Sequence, residues 1–448
     1  MASLFFCYPR FIMKLVTLVP LATAALILGC GSSSSSSTGT TTDGTGDVST
    51  GTGSGSTTAS SSTGSGGSGG TGGGSSTSGT GGGGVGGDTA TGPINSPADK
   101  WTYVPFSGTQ CMDGSEAAIG VNNHASADDV VIYLEGGNAC FGDFSCGATA
   151  NAKGYPETSF DKDVTGALAS MPIFDRSNSA NPLKGYNYVF VPYCTGDVHA
   201  GNNDVTVGGA MRHFHGFGNM TAFLKRIVAT YPNAKHVLLT GSSAGGFGAA
   251  LNYDQTVKAF GSGVEVNLLD DSGPPMANTY VPACLQKAFV DTWGLASTAP
   301  AGCPNGCVQA DGTFMEPLFS YLTSTYSAQH IGLISSTSDA TISTFWGYGD
   351  DNCSAGFDAF PTAYPAGQFE AGLRDIRDRI AKSDAHFSTF YIDSTVTATI
   401  DGNAADTHHT WLTDSAAYGV SVGSTSLSTW LAAFVAGSNP ANVGSPAP

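Results

Sequence analysis

The segment Gly241-Ser242-Ser243-Ala244-Gly245-Gly246 follows the apolar run His236-Val237-Leu238-Leu239-Thr240, so a Gly-x-Ser-x-Gly pattern stands where a strand hands over to a helix. A serine on so sharp a turn has its hydroxyl held proud of a sheet, with glycines on both sides to admit neighbouring backbone. The chemistry is acyl transfer, with Ser243 as nucleophile, provided that a histidine takes its proton and a carboxylate orients that histidine. The chain is rich in Gly and Ser, so the pattern also arises by chance; its place after a strand gives it weight. For the carboxylate, Asp339 follows the strand-like run Ile331 to Ser336. Asp270 and Asp271, which close the run Val264 to Leu269, and Asp350 and Asp351 in a Gly-rich loop are the alternatives. For the base, the pair His408-His409 lies in a loop beyond the last strand-like run, whereas His386 precedes that run and belongs at the opposite edge. His213 and His215 flank Phe214 ahead of a helical stripe, where a capping or supporting role is expected. An oxyanion needs two preorganised backbone N–H groups. One falls to Ala244, the residue after the serine, and the turn Leu134-Glu135-Gly136-Gly137-Asn138-Ala139-Cys140 is suited to supply the other.

Positioning such groups requires strands that end on one edge. Apolar, β-branched runs recur at Val130 to Leu134, Tyr188 to Val191, His236 to Thr240, Val264 to Leu269, Ile331 to Ser335 and Phe387 to Ile392. Their continuous rather than alternating apolarity predicts strands buried on both faces, as in a parallel sheet. Met220, Phe223, Leu224, Ile227 and Val228 keep helical spacing, with Asn219 as the predicted N-cap. Phe369, Leu373, Ile376 and Ile380 form a second stripe, and Leu427, Trp430, Leu431 and Phe434 a third. The alternation predicts an α/β fold: a mostly parallel, α/β-hydrolase-like sheet flanked by helices, with reacting groups at the carboxyl ends of its strands.

Several segments together resemble the pectin acetylesterase/Notum family of serine carboxylesterases. Cys111-Met112-Asp113-Gly114-Ser115 resembles its Cys-x-Asp-Gly-Ser opening, and Leu134-Glu135-Gly136-Gly137 with Cys140-Phe141 and Cys146 its Leu-Glu-Gly-Gly-Trp-x-Cys segment. Pro192-Tyr193-Cys194-Thr195-Gly196-Asp197-Val198 resembles the Tyr-Cys-x-x-Asp stretch; Gly241 to Gly246 with Asn252 match the elbow and its helix, and Asp271-Ser272-Gly273 a short motif after it. His-Thr-Trp at 409–411 is similar to the tail-end motif of several secreted esterases. The resemblance implies Ser243 as nucleophile, Asp339 as orienting acid, His409 as base, Gly137 and Ala244 as oxyanion donors, and a local Cys140/Cys146 disulfide. It also implies an enzyme that removes acetyl or other small acyl groups from a pectin-like polysaccharide through an acyl-enzyme, with a lipid-type deacylase, a polyester depolymerase and a non-catalytic glycan-binding pseudoenzyme as alternatives. One departure matters: Asn138 stands where the family usually carries tryptophan after the Gly-Gly pair.

The rest of the chain bounds its setting. Arg10 and Lys14 precede a short apolar stretch ending at Ile27-Leu28-Gly29-Cys30, which resembles a bacterial lipobox, so residues 1–29 are expected to be a lipoprotein signal peptide and Cys30 the lipidation site. Residues 30–94 are almost entirely Gly, Ser and Thr and should form a flexible linker. That leaves 95–448 as one esterase domain, exported to the cell envelope and held at an outer membrane only through the lipid, with simple secretion as the alternative. With 17 Lys+Arg against 35 Asp+Glu, nucleic acid is excluded as a partner, since it needs a basic face. An acylated carbohydrate is the expected partner, and the oligomeric state is left open. No cofactor is called for, and no metal ligand set is assigned. Cys303-Pro-Asn-Gly-Cys307 lacks the second Cys/His pair a zinc site requires. The eight cysteines beyond Cys30 are an even number and predict disulfides, with Cys140/Cys146 and Cys303/Cys307 near enough to pair locally.

Overall fold

A computed structural model of the chain describes residues 92–148, 154–365, 367–380, 384 and 386–444. The signal peptide, most of the linker and the Cys30 lipidation site lie outside the described residues. Eight strands form one sheet. They are β1 (Trp101–Phe106), β2 (Ala117–Asn122), β3 (Val130–Leu134), β4 (Asn187–Val191), β7 (His236–Ser242), β8 (Glu265–Asp271), β9 (Ile331–Ser336) and β10 (Phe387–Ile392), in the spatial order β1-β2-β4-β3-β7-β8-β9-β10. Between β4 and β7 the chain makes a separate ribbon of β5 (Asn203–Val207) and β6 (Ala210–Phe214). From β4 to β10 all neighbours in the sheet are parallel; β1, β2 and β4 pair antiparallel. The six predicted runs are these six parallel strands, and every residue of β3, β4, β9 and β10 is buried, polar Asn187, Ser388 and Thr389 included, so their sequences show no apolar-polar alternation. β1 and β2 extend the sheet beyond what the sequence reading anticipated.

The helices pack on this sheet. Short ones come first: α1 (Asp143–Ala148), α2 (Glu157–Thr165) and α3 (Ala167–Ser170). They are followed by α4 (Gly216–Thr230), α5 (Ala244–Phe260), α6 (Ala283–Trp293), α7 (Met315–Thr325), α8 (Ala340–Trp346), α9 (Gln368–Ile380) and α10 (Leu427–Val435). The three predicted stripes are the buried faces of α4, α9 and α10. One expectation is corrected: Asn219 does not cap α4. The helix begins a turn earlier at Gly216, with His215 at the N-cap position. Asn219 is buried within the helix, where its amide accepts from Gln110 N–H at 3.0 Å and donates to Gln110 C=O at 2.7 Å.

Four disulfides tie the loops: Cys111–Cys194, Cys140–Cys146, Cys284–Cys353 and Cys303–Cys307. Both local pairs are the expected ones. Cys111–Cys194 closes the longest span, 83 residues in sequence separation, and a loop of that size restricts the unfolded chain by about 4–5 kcal/mol in the chain-entropy account. Among the described residues no helix is long and apolar enough to cross a membrane.

Candidate active site

The register of the sheet sets the site. Leu134 pairs with Gly241, Gly241 with Asp270 and Ser242 with Asp271, so the carboxyl ends of β3, β7 and β8 finish level with one another. The chain then turns at Ser243, whose backbone holds φ 60° and ψ −123° before α5 begins at Ala244. For a residue with a side chain this is a strained conformation costing on the order of 1–3 kcal/mol, and it is kept only where surrounding structure over-determines it. The surroundings do so. A Cβ on Gly241 or Gly245 would strike the Leu134 carbonyl, and one on Gly136 would lie 2.9 Å from Ser243 Cβ. The elbow and the Gly136-Gly137 turn therefore interlock at a spacing that only glycine permits.

Of the two serines, Ser242 is spoken for: its buried Oγ donates to Asp271 Oδ2 at 2.6 Å. Ser243 is partly exposed and lines a cleft. Ala244 opens α5, so its N–H belongs to the first turn, which lacks intrahelical acceptors.

Asp339 and His409 meet. Asp339 is fully buried just past β9 and caps α8, its Oδ1 accepting the N–H groups of Thr341 and Ile342 at 2.9 Å. Its other oxygen, Oδ2, lies 2.7 Å from His409 Nδ1. Two charge-neutralising helix amides on one oxygen leave the other fixed toward the imidazole. Burial works against a charge on His409, but the Asp339 carboxylate and its hydrogen bond outweigh it, and the imidazole is held above the usual histidine range. Among the described residues, His409 Nε2 has no hydrogen-bond partner. His408 turns elsewhere: its buried ring packs edge-on against Trp411, its Nε2 is 3.9 Å from Asp414 Oδ2, and its carbonyl accepts from Ser336 Oγ. The other candidates also separate. Asp270 accepts the Gly273 N–H at 2.8 Å, Asp350 and Asp351 stay on their own loop, and His386 sits at the amino end of β10 with its ring on His330.

The sequence reading missed what Asp271 does. Its buried carboxylate accepts from Ser242 Oγ, from Ser272 Oγ at 3.0 Å, from Trp411 N–H at 2.9 Å and from Leu412 N–H at 2.9 Å, while its carbonyl accepts from Ser243 N–H at 2.8 Å. Thr410 N–H adds a bond to Ser272 Oγ. The histidine loop and the serine elbow thus share one anchor at the end of β8. The motif Asp271-Ser272-Gly273 was visible, but of the four converging donors only Ser272 belongs to it; Ser242 ends β7, and Trp411 and Leu412 come from a loop 140 residues away in sequence.

The cleft beside Ser243 is walled by hydrocarbon and aromatic rings: Ala139, Val198, Phe247, Leu251, Phe289, Trp293, Phe314, Met315, Ile342, Phe345 and Trp346, with Asn138 at one side. Asn138 adopts φ 66°, a left-handed conformation that asparagine tolerates better than most residues. Val198 (φ 51°) and His199 (φ 59°) are both left-handed as well, and for a β-branched valine that is a costly state. It is imposed from two sides: Val198 N–H donates to Tyr193 Oη at 2.9 Å, and the His199 carbonyl accepts from Asn252 at 2.9 Å. Burial lowers the His199 imidazole to about 4, so it is neutral where its Nε2 meets the Glu135 carbonyl at 2.8 Å. Burial also lifts the Glu135 carboxyl, to about 8, against the Tyr193 N–H that it accepts at 2.9 Å.

Comparison with known proteins agrees with this frame. The family described as Pectinacetylesterase matches residues 100–341. The chain is 30% identical over 191 residues to palmitoleoyl-protein carboxylesterase notum1a of Danio rerio, covering 39% of this chain and 35% of that protein. It is 29% identical over 203 residues to pectin acetylesterase 4 of Arabidopsis thaliana, covering 41% and 48% respectively. The chain therefore matches less than half the length of these curated relatives. The crystal structure of the Wnt deacylase Notum from Drosophila superposes with a TM-score of 0.55 at 17% identity, covering 78% of this chain and 97% of that one, a likeness of fold. With more than half of its length matched by the family, the chain belongs to the pectinacetylesterase family.

Proposed function

We propose that this chain is a serine carboxylester hydrolase with Ser243 as nucleophile, His409 as base and Asp339 as orienting acid. The observation that carries the reading is the 2.7 Å contact of His409 Nδ1 with the buried Asp339, on a loop anchored to the same Asp271 that holds the strained Ser243 turn. In this reading His409 Nε2 takes the Ser243 Oγ proton as the oxygen attacks the ester carbonyl. The N–H groups of Gly137 and Ala244 receive the charge that develops on the carbonyl oxygen. Collapse expels the alcohol, protonated by His409, and water then cleaves the acyl-enzyme by the same steps in reverse. Export fits the four disulfides, which persist in oxidising compartments; anchoring through Cys30 follows from the lipobox alone.

Two readings of the substrate remain. The resemblance and the Arabidopsis relative support an acetyl or other small acyl group on a pectin-like polysaccharide. The cleft favours a longer, apolar acyl chain, because apart from Asn138 and Ser243 its wall is aliphatic, aromatic or thioether. Each methylene buried there is worth about 0.8 kcal/mol, or about fourfold in kcat/KM until the cleft is full. A series of p-nitrophenyl esters from acetyl to palmitoyl tests this directly. The apolar-cleft reading expects kcat/KM to climb beyond acetyl and peak at a longer chain; a profile highest at acetyl returns the assignment to small acyl groups.

A further inference from the structure

The β5–β6 ribbon carries a second cluster of chemically active side chains. Asp204 and His213 face each other across the ribbon, and His215 lies two residues beyond His213, so all three project from one side. His213 Nδ1 is 2.6 Å and His215 Nε2 3.0 Å from the same oxygen, Asp204 Oδ1, and the three ligand atoms all lie within 4.8 Å of one another. The two imidazoles run nearly parallel, 20° apart. They are set by their backbone. Phe214 between them is fully buried, His215 sits at the start of α4, and the next residue donates its N–H to the buried Asp197 at 2.8 Å. Gly114 closes on the far edge of the His213 ring, 3.3 Å from a Cβ placed there, which leaves Nδ1 as the nitrogen presented to the cluster. About a quarter of each imidazole and half of the carboxylate are exposed, so an ion reaches the cluster without any opening of the fold.

We propose that Asp204, His213 and His215 form a binding site for a divalent transition-metal ion, zinc being the best match. Two neutral imidazoles and one carboxylate are the donor set that zinc and its neighbours prefer, whereas calcium and magnesium need a shell of oxygens. Three protein ligands leave room for water in the fourth position. Tetrahedral bonds of about 2.0–2.2 Å put ligand atoms roughly 3.3–3.5 Å apart, so each imidazole nitrogen backs off from Asp204 by less than an ångström while the two nitrogens, within 4.8 Å of each other, settle at that spacing. A bound ion would take the place of the two imidazole contacts to Asp204, each ring binding through the nitrogen that faces the carboxylate and carrying its proton on the other nitrogen. Its place in the fold gives it a structural part. The ribbon is joined to α6 by Asn202 N–H to the Trp293 carbonyl and by the Asn203 amide to the Thr292 carbonyl, and α6 supplies Phe289 and Trp293 to the cleft wall. Metal would thus brace the cleft from outside, independently of the ester chemistry.

The test is zinc titration of the untagged, metal-stripped protein near pH 7.5 by calorimetry and equilibrium dialysis, with cobalt(II) absorption as a ligand-field readout. The proposal expects one ion per chain, visible d–d bands from cobalt, and a rise in Tm with zinc. Asp204→Asn and the double variant His213→Gln/His215→Gln should weaken binding at least tenfold and abolish the Tm rise. Ser243→Ala should bind zinc as wild type does, which separates this site from the esterase reading. Absence of stoichiometric binding, or binding that survives the double variant, overturns the proposal. Should the double variant misfold by circular dichroism, Asp204→Asn alone decides, since it preserves the shape of the cluster.

Discussion

Replacing Asp271 by asparagine tests whether one carboxylate couples the serine turn to the histidine loop. Four donors converge on it: Ser242 Oγ and Leu412 N–H on Oδ2, Ser272 Oγ on Oδ1, and Trp411 N–H shared between both. An amide at this position has one acceptor oxygen and one NH2. Its less costly orientation places the NH2 at Oδ1, where the Ser272 hydroxyl reverses to accept and Trp411 N–H keeps its bond to the oxygen. What disappears is the charge on the three remaining bonds, about 1 kcal/mol for each, giving a loss of about 2–3 kcal/mol. Asp271→Ala should lose more, because the buried N–H groups of Trp411 and Leu412 are then unpaired at about 1–3 kcal/mol apiece. Urea unfolding followed by tryptophan fluorescence reads the stability. A merely structural residue would stop there. The Asp271 charge also helps to hold the His409 imidazole up, so Asp271→Asn should move the acid limb of the kcat/KM profile to lower pH as well. A variant within about 0.5 kcal/mol of wild type and with an unmoved acid limb would refute the shared-anchor reasoning.

Asp339→Asn removes the main support of the His409 charge, and the imidazole is then free to present the wrong tautomer; kcat should fall on the order of 10⁴-fold. Because the base must be neutral to act, and its pKa is raised, the wild-type acid limb should lie above the ordinary histidine value near 6.5 and drop in this variant. The stabilisation that His409 draws from Asp339 is fully present below that ordinary value and is lost as pH rises through the raised one. Glu135 offers a separate check on stability. Its folded carboxyl titrates at about 8 against 4.5 for the free side chain, so the stability it contributes is complete below 4.5 and lost as pH rises through about 8. Glu135→Gln, which keeps an acceptor for Tyr193 N–H, should flatten the urea midpoint between pH 5 and 8; superimposable curves for the two proteins would contradict the assignment.

Much of the frame was legible because burial on both faces writes itself into composition. The parallel strands from β3 to β10 are largely apolar without strict alternation, and Phe387 to Ile392 emerges with its predicted bounds. β1 and β2 were not legible: in Ala117-Ala118-Ile119-Gly120-Val121-Asn122 the poor strand formers Ala, Gly and Asn dilute Ile119 and Val121, and the strand is completed by pairing with β1 and β4. The β5–β6 ribbon did carry a signal, two short runs around Gly208-Gly209, but its exposed, polar faces lack the apolarity that marks a core strand. Asn219 misled because a good capping residue stood just ahead of the stripe, while the helix gained a turn from Gly216 and used the asparagine to hold Gln110. At the candidate site, Ser243 follows from local chemistry. His409 over His408, and Asp339 over Asp270 or Asp271, depend on where adjacent side chains point, which spacing does not encode. Nor does sequence show that Asp271, one of the rivals for the acid, is committed to four donors of its own.

Covalent labelling tests the central claim most directly. Wild-type protein treated with a fluorophosphonate and digested should yield one phosphonylated peptide with the adduct on Ser243; Ser243→Ala should remain unlabelled and lose p-nitrophenyl ester hydrolysis by 10⁴-fold or more. Labelling on Ser242 or elsewhere, or hydrolysis by Ser243→Ala equal to wild type, would contradict the assignment of Ser243 as nucleophile.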